Sequence, residues 1–321
     1  MIAIQLLLLA GLISAAATQI LPNARWVYRA PGLGLAAWYA VLASVTVSGL
    51  VAAASLVARW PATQKTVCSW WAFCVDVLSG DLGPIGHAIV WTSIAGLAAG
   101  AGFAVRRLAT VARDAARLLR EHHNTLTLIG RLDPRLGAVV VDDPVPAAYA
   151  LPGRRHRIVI TSGAIADLPA PQVAAILAHE RAHTRHHHHL LLAAARMLTK
   201  AFPAMAVFAD AHRQIDRLVE LHADDIATRA HAPLDLARAL VACAEAATRS
   251  QCAPVPAMAA AAHGGDALER VHRLLTPPPP VSPRRRLAIT ASLIALTATP
   301  IAVAALGLAI PALGACMPVT S

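Results

Sequence analysis

A histidine and glutamate pattern in the middle of the chain has the residue types and spacing of a metal centre. Residues 178–183 read AHERAH, with His179 and His183 four positions apart and Glu180 directly after the first histidine. On a helix this spacing puts both imidazoles on one face, with Cβ atoms about 5–6 Å apart, so both can reach one tetrahedral zinc ion. Glu180 can act as general base towards a water on the metal, which lowers the pKa of that water and polarises the scissile carbonyl. The pattern predicts a catalytic metal site.

An acidic pair further along the chain completes a set of three ligands. In VELHADD, Glu220 and Asp224 are four positions apart and share one face of a predicted helix. Two histidines and a glutamate form one class of catalytic zinc site, which leaves the fourth position open for water. We predict that Glu220 is the third ligand of a single Zn²⁺ and that Asp224 orients a ligand histidine. A helix surface with solvated acids is the alternative.

Further histidines lie close to this pattern. His186 to His189 follow it directly, but consecutive helical residues point in different directions, so four in a row do not converge on one ion. One or two of them could contact the zinc region or interfacial headgroups. His222 is a candidate hydrogen-bond donor to the transition state beside Glu220, with solvated helix surface as the alternative.

The composition indicates a membrane protein. Of 321 residues, 57% are hydrophobic and 14% are charged, with a mean hydropathy of +0.55, whereas soluble domains contain roughly 25% charged residues. Alanine and leucine dominate and aromatic residues make up 4%, which favours helices. The net charge of +10 comes from arginines beside apolar runs, without a nucleic-acid-binding signature, so we expect no direct contact with nucleic acid.

Four apolar runs are long enough to cross about 30 Å of hydrocarbon as helices. They cover approximately residues 2–20, 33–58, 87–105 and 287–310. The first run is also compatible with a cleaved signal peptide, although no basic residues precede it. Gly96 and Gly100 in the third run have the spacing that lets helices approach closely, so a homodimer is compatible with the sequence.

Basic residues orient these spans. Arg25 and Arg29 lie in the first loop, further arginines follow the third span, and Arg284 to Arg286 precede the fourth. Because such flanks stay in the cytoplasm, the chain is expected to begin and end outside. This gives three spans in residues 1–105, a cytoplasmic domain in residues 106–286, and the fourth span with a short tail in residues 287–321.

Within the cytoplasmic domain, short β-like segments precede helical ones. Residues 138–141, 147–150 and 157–161 are separated by turn residues, which predicts a small sheet. From Pro171 the apolar residues recur at helical spacing into the histidine pattern. Residues 190–208 form an apolar run interrupted by Arg196, Lys200 and Pro203, which favours a core or membrane-skimming helix. Residues 276–283 are a proline-rich linker to the last span.

The five cysteines favour no cysteine zinc site, because the chain contains no CxxC pair. Cys68 and Cys74 lie close together in the second loop. A disulfide between them is expected if that loop faces an oxidising compartment, and two free thiols are the alternative.

The motifs resemble those of a known group of peptidases. IVITSGAIADLPAPQVAAILAHERAH, ELHADD and ALERVHRLL look like segments of the integral membrane gluzincins of the BlaR/MecR antirepressor family, and more distantly of the HtpX and CAAX-prenyl-protease family. Three spans, a cytoplasmic zinc domain and a fourth span are also the BlaR/MecR arrangement. The resemblance implies a mainly α membrane protein with an α+β gluzincin-like domain and a small sheet, in which His179, His183 and Glu220 bind zinc and Glu180 is the base.

Two further expectations follow from the resemblance. Tyr149, in AAYAL, occupies the position of an edge strand that pairs with an extended substrate in related peptidases, with an ordinary core tyrosine as the alternative. Because the chain stops at Ser321, soon after the fourth span, we expect no penicillin-binding sensor domain.

The resulting prediction is a zinc endopeptidase in the cell membrane that cuts a cytoplasmic protein, in that family often a winged-helix repressor. One alternative is membrane-protein quality control in the HtpX manner, but such chains usually place two spans between the histidine motif and the glutamate segment. The other alternative is a non-catalytic signalling scaffold that keeps zinc for structure. Glu180 argues against the scaffold, because a structural site needs ligands but no base.

Overall fold

The chain divides into two compact units in this computed structural model. The structure describes residues 2–58, 130–151, 157–249 and 264–315, together with isolated positions between 91 and 117. One unit comprises Met1–Asn23, Ala36–Thr110 and Arg284–Ser321, and the other comprises Ala24–Leu35 and Val111–Pro283. The short segment 24–35, which the sequence places between two spans, therefore belongs to the unit with the histidine motif.

The described residues form the following helices and strands. In chain order, they are α1 (Ile2–Ile20), α2 (Arg25–Arg29), α3 (Pro31–Ala58), β1 (Gly130–Asp133), β2 (Ala138–Val141), β3 (Ala148–Leu151), β4 (Arg157–Thr161), α4 (Ser162–Asp167), α5 (Ala170–Arg185), α6 (His188–Ala201), α7 (Ala206–Ala227), α8 (Pro233–Arg249), α9 (Gly264–Leu275) and α10 (Pro283–Ala315).

Three described helices are long and apolar enough to cross a membrane. These stretches are Ala3–Ile20, Pro31–Ala54 and Pro283–Leu306, close to the predicted runs 2–20, 33–58 and 287–310. Almost all of the run 87–105 lies outside the described residues, as do Cys68 and Cys74. The three helices indicate a membrane protein.

The first unit packs these helices through small and apolar side chains. Leu6 of α1 is fully buried in a cluster with Ala52 of α3, and Val303 of α10 packs against that cluster. The Ser44 hydroxyl is buried and donates to the carbonyl of Leu296 at 2.9 Å, which joins α3 to α10. Such a hydrogen bond between apolar helices is stabilising where no water competes for it.

The second unit begins with a small mixed sheet in the order β1, β2, β4, β3. The three predicted strands are present as β2, β3 and β4, and β1 is an addition that the sequence did not predict. Strands β2 and β4 are parallel, whereas β1 and β3 pair antiparallel to their neighbours. Among the described strands, β3 therefore lies at one edge of the sheet.

The long helix α5 covers one face of this sheet. Ile158 and Ile160 of β4 are buried in one cluster with Ile176 and Leu177 of α5. Because neighbouring strand residues point to opposite faces, Val159 lies in a different cluster on the other face, where Tyr149 also packs. Burial of the α5 face fixes the rotation of that helix relative to the sheet, and with it the direction of the histidine motif.

Helices α7, α8 and α9 surround α5 on its other sides. Ala175 of α5, Ala227 of α7, Leu236 of α8 and Leu274 of α9 form a single buried cluster. The predicted apolar run 190–208 is interrupted: α6 ends at Ala201, Pro203 follows, and α7 begins at Ala206. Proline lacks a backbone N–H and disfavours a helical residue before it, which explains the break.

A turn between α5 and α6 divides the run of four histidines between two helices. Helix α5 ends at Arg185, and His187 adopts a left-handed conformation with φ 52° before α6 starts at His188. Histidine is among the few residues other than glycine that tolerate this conformation. The expectation of one continuous helix through the four histidines is wrong, and the turn brings His188 back towards α5.

Candidate metal centre

Two histidines of α5 form the first half of the site. His179 and His183 are one turn apart, and their Nε2 atoms are 3.0 Å from each other. The side chain of His179 is 4% exposed and that of His183 is 15% exposed, so both rings are largely shielded from solvent. The helical spacing that the sequence predicts thus brings two ligand nitrogens together.

Glu220 of α7 supplies a third donor. Its Oε2 lies 3.4 Å from Nε2 of His179, and its Oε1 lies 3.5 Å from Nε2 of His183. The donor atoms of these three residues lie within 4.8 Å of one another. Zinc bonds of about 2.0–2.2 Å at tetrahedral angles put neighbouring ligand atoms roughly 3.3–3.5 Å apart, so the three donors fit zinc and leave a fourth position open.

Glu180 lies beside this donor set and is held by the edge strand. The backbone N–H of Ala150 in β3 donates a hydrogen bond to its carboxylate. Burial raises the pKa of Glu180 to about 7, and the neighbouring Glu220 adds to the rise, although His179 and Arg270 oppose it. A carboxylate with a pKa near neutrality is suited to take and return a proton at physiological pH.

An acidic side chain and an arginine hold the outer side of His179. Its Nδ1 is 2.9 Å from Oδ1 of Asp224, which is buried. Arg270 of α9 donates from Nε to Oδ2 and from Nη2 to Oδ1 of Asp224, both at 2.8 Å. The Nη1 atom of the same guanidinium lies 3.0 Å from Oε2 of Glu220. One arginine thus connects the proposed third ligand with the residue that orients the first.

These contacts set the charges on this side. Burial opposes ionisation of both carboxyls, but the Arg270 guanidinium outweighs it, holding the pKa of Asp224 at about 2 and that of Glu220 well below its usual range. Burial also disfavours a charged His179, yet its hydrogen bonds to Asp224 and Glu220 prevail and raise its pKa to about 9. Without metal, His179 is therefore protonated at neutral pH.

A different environment surrounds the outer side of His183. Its Nδ1 lies 3.0 Å from Nδ1 of His188, which is fully buried at the start of α6. Nε2 of His188 is in turn 3.0 Å from Nδ1 of His222 on α7. Burial lowers the pKa of His183 to about 4 and that of His188 to about 3, so both rings are neutral at physiological pH.

The structure distributes the remaining sequence candidates over several places. His222 contacts His188 and lies next to Gly32 in the segment 24–35. The side chain of Tyr149 packs on the sheet face away from α5, where burial raises its pKa. His186 lies with its ring 5.1 Å from that of His222, and the rings of His187 and His189 are 6.0 Å apart.

Sequence reasoning did not single out Arg270 or His188. Arg270 occupies the apolar stripe of α9 with Val271 and Leu274, and a charged residue within such a stripe is a signal that could have indicated a buried partner. His188 gave no comparable signal, because its position depends on the turn at His187.

Part of the chain matches a known protein family. Residues 112–212 match the model of peptidase family M48, a stretch that includes the sheet, α5 and the histidine motif. The match supports a metallopeptidase. No curated protein and no solved structure gives a significant match to the chain.

Proposed function

We propose that this protein is a zinc-dependent endopeptidase of the cell membrane that hydrolyses a cytoplasmic protein. The observation that carries the proposal is the convergence of His179, His183 and Glu220, with Glu180 of α5 beside them and hydrogen-bonded to the edge strand. The match to peptidase family M48 over residues 112–212 supports the same chemistry.

The chemistry divides between the ion and Glu180. His179, His183 and Glu220 would hold a zinc ion, which would supply a water of lowered pKa and polarise the substrate carbonyl. Glu180 takes the proton of the attacking water and passes it to the leaving amine. Arg270 keeps Glu220 ionised and available as a ligand.

The edge strand offers a way to hold the substrate. The N–H of Thr161 donates to the carbonyl of Ala147, so residues 147, 149 and 151 carry the bonds to β4. Bonded and non-bonded pairs alternate in an antiparallel ladder, so the backbone groups of Ala148 and Ala150 point away from β4. The N–H of Ala150 donates to Glu180, so a peptide would pair with the backbone groups of Ala148 and the carbonyl of Ala150. An extended peptide that pairs with this edge would lie next to Glu180, in the mode of strand addition.

The role of the peptidase is proposed from the resemblance to the BlaR/MecR family. We propose regulated cleavage of a regulator, with a winged-helix repressor as the partner. The described stretch 157–249 favours this role over HtpX-like quality control, since α6 has 14 residues and spans about 21 Å, too short for a bilayer crossing between His183 and Glu220. A non-catalytic scaffold remains the third hypothesis, which the Glu180 variant tests.

The membrane topology is part of the proposal. The three apolar helices that the structure describes and the run 87–105 make four spans. Arg25, Arg29 and the basic run Arg284 to Arg286 support a cytoplasmic zinc domain through the positive-inside rule.

Cleavage of casein by detergent-purified protein tests the peptidase proposal. We expect wild type to cut casein in the presence of zinc, and Glu180→Gln to lose the activity by at least about 100-fold, the usual scale for removal of a general base. Glu245→Gln, at an exposed position of α8, is the matched control and should cut like wild type. Equal cleavage by Glu180→Gln and wild type would contradict the proposed role of Glu180.

Co-expression with a repressor tests the regulatory role. Loss of full-length repressor on co-expression with wild type, and not with Glu180→Gln, would support that role.

A further inference from the structure

His188 is buried in contact with a proposed ligand and with a second histidine. Its side chain has no exposed surface, and its two ring nitrogens each lie 3.0 Å from another imidazole nitrogen, on His183 and on His222. A buried polar ring is costly unless both of its nitrogens have hydrogen-bond partners. Two arrangements of protons satisfy both contacts: the hydrogen bonds run either from His183 towards His222 or from His222 towards His183.

The orientation of the His183 ring selects one of these two arrangements. Because its Nε2 faces His179 and Glu220, metal binding needs a lone pair on Nε2 and leaves the hydrogen on Nδ1. Nδ1 of His183 then donates to Nδ1 of His188. The hydrogen of His188 must consequently lie on Nε2, which donates to Nδ1 of His222. Each imidazole is neutral, each contact has one donor and one acceptor, and the hydrogen of His222 lies on Nε2.

The last histidine of this hydrogen-bonded series, His222, lies next to the segment 24–35. A Cβ atom added to Gly32 would lie 3.4 Å from Nε2 of His222, so the ring and the start of α3 are in contact distance. The segment is attached to α7, the helix of His222: the Tyr28 hydroxyl donates to Oε1 of Gln214 at 2.9 Å, and the Arg217 guanidinium lies 4.6 Å from the centroid of the Tyr28 ring. Gly34 packs so closely on Leu218 and Val27 that a Cβ there would be 2.8 Å from Cγ1 of Val27.

We infer that His188 and His222 are positioning residues for the metal ligand His183, forming a neutral histidine relay that ends at Gly32. The inference rests on the proposed zinc site. His188 fixes the ring orientation and the Nε2 lone pair of His183, as a carboxylate does for His179. His222 fixes the tautomer of His188. The segment that closes the relay joins α1 to α3, two helices of membrane-spanning length, so a displacement of this segment bears directly on His222.

Paired substitutions at His188 separate positioning from packing. Asparagine places an acceptor oxygen close to the position of Nδ1, whereas leucine fills a similar volume without an acceptor. Zinc affinity is measured by competition with a chelator, and the Co²⁺-loaded protein is examined by visible absorption, which reports the geometry of the ligands. We expect His188→Leu to weaken zinc binding by about 10–100-fold and to change the Co²⁺ spectrum, and His188→Asn to retain most of the affinity. His189→Leu, the neighbouring histidine outside the relay, is the matched control and should stay within about twofold of wild type.

His222 and Gly32 test the order of the relay. His222→Leu should weaken zinc binding less than His188→Leu, and the double variant should bind no more weakly than His188→Leu alone, because both changes break the same chain. Gly32→Val, which pushes on the His222 ring, should lower the affinity in wild type and leave it unchanged in His222→Leu.

Four outcomes would overturn the inference. Equal zinc affinity and equal Co²⁺ spectra of wild type and His188→Leu would show that His188 has no positioning role. Equal losses in the leucine and asparagine variants would reduce its role to packing. Two zinc ions per wild-type chain, with one lost in His222→Leu, would make the His188 and His222 pair part of a second metal site. A wild type that binds no zinc would overturn the proposed function together with the relay, whereas the other three outcomes leave the peptidase proposal standing.

Discussion

The two candidate ligand histidines lie one turn apart on α5, yet their Nδ1 atoms have contrasting partners. Nδ1 of His179 meets the Asp224 carboxylate, which Arg270 neutralises, whereas Nδ1 of His183 meets the neutral ring of His188. The pKa of His179 is raised to about 9 and that of His183 is lowered to about 4. Burial disfavours a proton on either ring, and the comparison teaches that the hydrogen bonds of His179 to Asp224 and Glu220 reverse this effect for one of the two. A proton on His179 competes with the metal, and neutral His183 is already in the binding form.

The largest expected effect comes from removing Arg270, the cation beside His179. Arg270→Met leaves the buried carboxylate of Asp224 and the partly exposed carboxylate of Glu220 without their shared partner, which should lower the free energy of unfolding by about 3–5 kcal/mol. Thermal unfolding of the purified protein in a chelator measures it. Arg273→Met is the control. It changes an arginine of the same helix α9 that pairs with Asp225 of α7, and it should lower the free energy of unfolding much less. A melting temperature unchanged by Arg270→Met would contradict a stabilising role of the contacts between Arg270 and the two carboxylates.

A smaller effect is expected when the orienting carboxylate loses its charge. Asp224→Asn keeps the shape of the side chain but weakens the hydrogen bond to His179, so zinc affinity should fall about 10–100-fold. We expect this loss to exceed that of His188→Leu, because a charged acceptor holds an imidazole more strongly than a neutral one. Asp225→Asn, one position further along α7, should change the affinity by less than about twofold. A larger loss in His188→Leu than in Asp224→Asn would reverse the comparison.

The pH dependence of the metal-free protein should differ in sign between the two sides. The raised pKa of His179 adds stability below the unfolded value of 6.5, and this is lost as pH rises towards about 9. The lowered pKa values of His183 and His188 act oppositely, because both rings must stay neutral: stability is present above pH 6.5 and is lost as pH falls towards about 3–4. Melting temperatures in a chelator should therefore fall from pH 6.5 to 9, and Asp224→Asn should flatten this fall. A slope that persists unchanged in Asp224→Asn would assign it to another group.

The smallest effect is expected in the segment 24–35, which lies next to His222. Tyr28→Phe removes one hydrogen bond, to Gln214, and keeps the ring next to Arg217, so stability should fall by about 0.5–1.5 kcal/mol with zinc affinity almost unchanged. Thermal unfolding of Tyr28→Phe, Gln214→Ala and the double variant measures it. Additive losses in the double variant would show that the two side chains do not interact.

The sequence predicted those features that depend on short-range periodicity. The four-residue spacing of His179 and His183 places two candidate ligands on one face of α5, and short β-like segments between turn residues marked β2, β3 and β4. It did not predict β1, because Gly130 to Asp133 carry little apolar character and pair only through the neighbouring β2. Arg270 lies far along the chain from Asp224, so their contact depends on the packing of α9. His188 depends on a single backbone conformation at His187, which the helical pattern of the flanking residues hides.

Zinc analysis of purified protein tests the central claim most directly. Elemental analysis of wild type, Glu180→Gln and Glu220→Gln should give about one zinc ion per chain for the first two and almost none for the third, because a base is not a ligand whereas Glu220 completes the site. A wild type without zinc, or a Glu220→Gln variant that retains it fully, would contradict the account of this metal centre.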